Sequence, residues 1–112
     1  MKKFVVIYMA PTSALAQMNN MTPEQAKAGM DEWMAWGKQH DDALVDMGAP
    51  LGKTKKVTTA GVADTNNEIT GYSIVEGESL DSVSKLFTAH PHLKMGAGAW
   101  IEIIETVAMP AM

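Results

Sequence analysis

Residues 71–105, GYSIVEGESLDSVSKLFTAHPHLKMGAGAWIEIIE, read as strand, short helix, stop and strand with nothing between them that could be a long loop. Tyr72, Ile74 and Val75 form a β-rich run, and Ser79 is placed to cap a helix. Leu80, Val83, Leu86 and Phe87 then recur at helical spacing. Pro91 ends that helix, because proline has no N–H to donate and its ring clashes with the preceding turn. The glycine turn Gly96-Ala97-Gly98 leads into a last strand over residues 100–107.

The chain ahead of this stretch supplies matching elements. Residues 4–9 are a continuous apolar run rich in β-branched and aromatic types, as expected of a strand covered on both faces. Thr22-Pro23-Glu24-Gln25 is a strong helix start: a cap, a proline at the first helical position, an acid at the positive end of the dipole and a capping-box glutamine. The helix is predicted to run to about Met47, with Gly48 as its stop. Ala26, Met30, Trp33, Gly37, His40, Leu44 and Met47 form one stripe for packing on a sheet. Strands are predicted over residues 55–62 and 69–75, joined through a hairpin connection at residues 63–67. The order is βαββαβ: an α+β, ferredoxin-like fold with a four-stranded antiparallel sheet and helices on one face, built as a single domain over residues 1–112.

A sheet with one solvated face should alternate apolar and polar residues, and this one does not. Phe4, Val6 and Tyr8 are apolar, and so are Val5, Ile7 and Met9; Ile101 and Ile103 point one way, Trp100, Glu102 and Ile104 the other. Two helices cover only one face. The simplest cover for the second face is the same sheet of another copy, which predicts an isologous homodimer.

Charge and composition narrow the partners. The net charge of −4 disfavours nucleic acid, whose binding rests on clustered cations against phosphate. Lys53, Lys55 and Lys56 are the one basic cluster, in a Thr-rich segment without aromatics, and read as lysines guarding a strand edge. With no cysteine there is no disulfide, thiolate chemistry or Cys-based zinc site. Met1-Lys2-Lys3, the apolar run and Ala14-Leu15-Ala16 mimic a signal peptide, but the run is short and reads better as a strand. No stretch reaches the length needed to span a bilayer, so the expectation is a cytoplasmic protein off the membrane. Neither a phosphate-cradling glycine loop nor His/Glu ligands at metal spacing is found, so no cofactor and no metal are expected.

Three places can carry chemistry. His90 and His92 titrate near neutrality and can move protons; equally, His90 can be a cation at a helix C-terminus beside a proline stop. The dipole holds or raises the pKa of His90 unless burial outweighs it, while His92 is free to face a pocket beside the glycine turn, so that its loss should cost little stability. Glu102, between Trp100 and Ile104 on the helix-free face, is either a buried acid or base or a charge at an interface rim. His40 reads as a partly buried residue of the stripe, and Asp42 as a partner of Lys38 one turn away. Trp33, Trp36, Tyr72 and Trp100, with the many methionines, are core or the lining of a pocket for a flat apolar ligand.

Residues 71–103 resemble the C-terminal half of YCII-related domains, in which a GYxxxE, SLDEA, HPHL, IEV succession is familiar. The resemblance implies the dimeric α+β barrel group, in which two such sheets face each other. It also implies small-molecule chemistry by a first-helix His and an Asp before the proline. Here His90 occupies the Asp position, no His stands at the first-helix position, and Ile104 replaces an Arg on the last strand, so that dyad is not carried over. Two readings stand. One is a small-molecule enzyme in which His90, His92 or Glu102 moves protons on an aromatic or lactone compound; the other is a non-catalytic dimeric module that binds a ligand or a partner protein.

Overall fold

Strand β1, Lys2–Met9, lies in the middle of the sheet because both sets of its alternating side chains are apolar. The computed structural model describes residues 1–11, 20–94 and 98–109. After β1 come helix α1 (Pro23–Gln39), β2 (Leu44–Pro50), β3 (Thr54–Thr58), β4 (Gly61–Thr65), β5 (Ile69–Gly77), α2 (Leu80–Leu86), a 3-10 turn (Pro91–Lys94) and β6 (Trp100–Glu105). The main sheet has the order β2-β5-β1-β6, antiparallel throughout, which is the ferredoxin-like arrangement expected. Phe4 pairs with Val75, Val6 with Ser73 and with Ile103, and Tyr8 with Ile101; this face turns to the helices. Phe4, Val6, Tyr8, Val75, Trp36, Val83 and Phe87 form the core.

Both helices start as their sequences dictate. Thr22 accepts from the backbone of Gln25 at 3.1 Å and its own N–H is met by the Gln25 side chain at 3.0 Å, a complete capping box. Ser79 and Ser82 repeat the device for α2.

The ends differ from expectation. Helix α1 stops at Gln39, eight residues short of Met47, with His40 as its cap. Asp41 and Asp42 explain this: two acids stand where the helix dipole favours cations, and Asp is a poor helix former. Leu44 and Met47 fit a helical period and a strand period alike, and they reach the same neighbours from β2 instead: a Cβ on Gly37 would lie 2.9 Å from the Met47 methyl and 3.7 Å from Leu44. Only the second half of α1 packs on the sheet; Ala26 and Met30 are exposed. Asp42 lies beyond the helix and makes no ion pair with Lys38.

Gly48 is therefore no helix stop. It sits within β2 at φ +77, where an irregularity in the pairing with β5 falls between Asp46 and Ala49, and its N–H is held by the Asp46 carboxylate at 2.9 Å.

The predicted strand over residues 55–62 is really two. It turns at Thr59-Ala60, so β3 and β4 pair with each other as a separate two-stranded hairpin and the partner of β5 is β2. The sequence carries its strongest turn residues at 63–67, but Gly61 at φ +122 supplies the reversal. Pro91 does not end α2, which closes at Leu86; it opens the 3-10 turn, where a missing N–H costs nothing.

Candidate functional site

Tyr8 on β1, Trp33 and Trp36 on α1, and Phe87, His90 and His92 after α2 meet on the helix side of the sheet in an aromatic box. His90 is at its centre. Its ring centroid is 4.5 Å from Trp33 at 87°, 4.4 Å from Trp36 at 62°, 5.1 Å from Tyr8 and 5.7 Å from Phe87. The ring is 0% exposed, and His92 is 1% exposed.

Hydrogen bonds fix the protons. The backbone N–H of His92 donates to Nδ1 of His90 at 3.0 Å, so the proton of the neutral ring sits on Nε2. That N–H has no oxygen or nitrogen partner among the described residues. Burial lowers the pKa of His90 from 6.5 to about 3, with His92 and His40 adding repulsion. Burial thus outweighs the helix dipole, the more so since His90 is four residues past the end of α2. Burial also lowers the pKa of His92, against the main-chain groups of Met9 and Trp100. Its Nε2 donates to the Met9 carbonyl at 2.8 Å.

Ser73 donates to the Met47 carbonyl at 2.7 Å, which leaves its oxygen to accept the Tyr8 hydroxyl at 2.9 Å. Burial raises the Tyr8 pKa, and the Ser73 bond opposes it. The rings of Tyr8, His90 and His92 are buried, and His90 Nε2 is the one buried side-chain polar atom without a partner among the described residues.

His92 accordingly faces packed core rather than an open pocket, and Gly96 and Ala97 of the expected glycine turn lie outside the described residues. We expect His92→Ala to destabilise the fold by about 2–4 kcal/mol, since it removes a buried ring and strands a carbonyl. Urea titration checks this; a change below about 0.5 kcal/mol would contradict the packing described.

The predicted residues fall into two groups on opposite sides of the sheet. His90, His92, Trp33 and Trp36 share the box. Tyr72, Trp100 and Glu102 lie on the helix-free face: Ile7 pairs with both Tyr72 and Glu102, and Met9 pairs with Trp100. Glu102 is exposed and accepts from the Trp100 indole at 2.9 Å. The structure does not bring it to the histidines. Val5, Ile7, Met9, Tyr72, Ile74 and Ile104 make this face apolar, with Ile104 51% exposed. Tyr8 and Ser73 were missed as site residues, although alternation along β1 and β5 puts them on the core face with Phe4, Val6 and Val75.

Beside the box, α2, the 3-10 turn and β6 border an open groove of about 370 Å³ lined by Leu80, Ser84, Phe87, Thr88, Leu93, Trp100, Ile101 and Ile103. Among the described residues no three His, Asp or Glu side chains are grouped closely enough to hold a metal ion, and no helix is long and apolar enough to cross a membrane.

No protein-family model and no curated protein matches the chain. Among solved structures it is similar to 5-chloro-2-hydroxyhydroquinone dehydrochlorinase (TftG) from Burkholderia phenoliruptrix AC1100, in complex with 2,5-dihydroxybenzoquinone, at 20% identity over 91% of each chain with a TM-score of 0.47.

Proposed function

We propose that this chain acts as a homodimeric module of the α+β barrel kind, joined through its helix-free sheet faces, that binds a small aromatic or lactone-type compound and does not transfer protons between His and Glu. The separation of the candidate groups carries this reading. Glu102 is on one side of the sheet and both imidazoles are sealed on the other, so no substrate atom can touch the two kinds of group at once. The groove at α2 and β6 is the place for the ligand: its volume suits a small molecule, and its walls are mainly apolar with two hydroxyls, from Ser84 and Thr88. The enzyme reading keeps one observation in its favour, the neutral His90 whose Nε2–H lacks a polar partner.

A screen of small aromatic acids and lactones by NMR separates the two. Binding should shift Phe87, Leu93 and Ile101, should be abolished by filling the groove with Ile101→Trp, and should leave the His90 and His92 imidazole signals unmoved. A ligand that moves those signals and is turned over would replace the module with the enzyme.

The dimer has its own test. An apolar sheet face of this kind should bury well over about 1,000 Å² in total between two copies. Ile7→Glu places a second carboxylate beside Glu102 in the middle of that face and should raise the dissociation constant by roughly a hundredfold or more. Sedimentation showing the unaltered protein as a monomer at micromolar concentration would sink the dimer.

A further inference from the structure

The β3–β4 hairpin is joined by backbone pairing to nothing but itself among the described residues, and none of its residues is buried. One pair in from its turn Val57 and Val62 face each other across the strands, 75% and 66% exposed. A lone two-stranded hairpin is marginal in water, and two opposed valines in solvent add nothing to hold it.

Its charge is unlike the rest of the chain. Residues 53–65 hold Lys53, Lys55 and Lys56, three of nine basic residues, and only Asp64 of thirteen acidic ones; the segment is +2, and the remainder is −6 in a chain of net −4. Lys55 is spent on Asp64 through the ion pair across the hairpin, while Lys53 and Lys56 make no ion pair among the described residues.

The complement lies at the far end of β2. This edge strand begins beside Asp41 and Asp42, carries Asp46, and exposes Val45 to 47% between them. The hairpin leaves β2 at the other end, after Pro50. With the two-fold axis of an isologous dimer set across β2, the strand runs the opposite way in the second copy, and the hairpin of one copy comes to the start of β2 in the other. Five residues of strand reach roughly 17 Å, on the order of the length of β2 itself.

We propose that the β3–β4 hairpin is an arm that docks on a second copy of this chain, setting Val57 and Val62 on the rim around Val45 and placing Lys53 and Lys56 against Asp41, Asp42 and Asp46. This rests on the homodimer reading above and adds to it a contact outside the sheet face. The arm serves as a clasp, and its lysines select a partner that carries the acidic rim.

Sedimentation velocity on full-length chains tests it. Lys53→Glu/Lys56→Glu, at exposed positions, leaves the fold intact by circular dichroism and should weaken self-association by roughly tenfold or more, as should Asp42→Lys/Asp46→Lys on the rim. Mixing these two variants should restore association, because each arm then meets a rim of opposite charge. Rising salt should weaken the unaltered dimer and leave the contribution of the sheet face. If the unaltered protein is a dimer that Ile7→Glu dissociates, yet both charge-reversed forms associate as tightly as it does, the arm proposal is overturned and the sheet-face dimer stands. A monomeric unaltered protein overturns both.

Discussion

Acidification from pH 7.5 to 5 is expected to remove on the order of 2 kcal/mol of folding stability through His90 alone. The sign follows from the buried neutral ring. The folded-state pKa of about 3 lies below the ordinary 6.5, so between those values the unfolded chain binds a proton that the folded chain refuses. The contribution is complete above pH 6.5 and drains away as pH falls towards 3, reaching on the order of 5 kcal/mol, a large part of the stability of a small domain. His92, shifted in the same direction, steepens the loss. Urea titrations at fixed pH, followed by the fluorescence of Trp33 and Trp36 beside the ring, measure it directly. The window from pH 6.5 to 5 is the diagnostic one, because carboxylates titrate mainly below it. In His90→Leu this limb should flatten by about the stated amount, whatever the substitution costs at neutral pH. Equal stability at pH 7 and pH 5 in the unaltered chain would show that the ring is not held neutral by burial.

The second large effect is at Gly48. An added Cβ would sit 1.7 Å from the Tyr72 carbonyl oxygen and 2.6 Å from its carbon, and the φ of +77 is one that side chains rarely adopt. Neither term can be relieved by a rotamer, since the obstruction is backbone of the paired strand β5. Gly48→Ala should therefore cost about 3–5 kcal/mol, combining a left-handed backbone penalty with partial separation of β2 from β5. Gly52→Ala, with nothing within 4 Å of the added carbon, should change stability by no more than about 0.5 kcal/mol. Similar losses for the two would mean that β2 does not pair with β5 in the register described.

These two residues also mark how far the sequence can be read. Three strands of the main sheet and the two helix starts follow from local signals: the apolar run of β1, capping boxes at Thr22 and Ser79, and the run from β5 to β6; the edge strand β2 does not, since its first residues read as the end of α1. Element ends do not, because Leu44 and Met47 satisfy two periods at once and only contact with Gly37 on α1 decides between them. Gly48 as a stop and Gly48 as a strand irregularity look the same in one dimension. The histidines were found, but not their setting: exposure depends on what α1 lays over them, and Trp33 and Trp36 come from more than fifty residues earlier. That Glu102 and His92 occupy opposite sides of the sheet follows from the strand register, which no motif records.

The place of β1 in the sheet has a consequence for how the chain comes into being. It is made before the other strands of the sheet and lies in its interior, hydrogen-bonded on one side to β5 and on the other to β6, the latest of the described strands. A ribosome therefore delivers the run Phe4 to Met9 long before either neighbour exists, and the sheet closes only after residue 105 has left the exit tunnel. The nascent chain spends its synthesis with its most apolar strand unpaired, and its folding waits on contacts between distant parts of the sequence. A chaperone that grips short extended apolar segments would find its target in the first ten residues. Truncation inside β6 should then yield a chain that stays bound to such a chaperone, since one whole edge of β1 would have no partner.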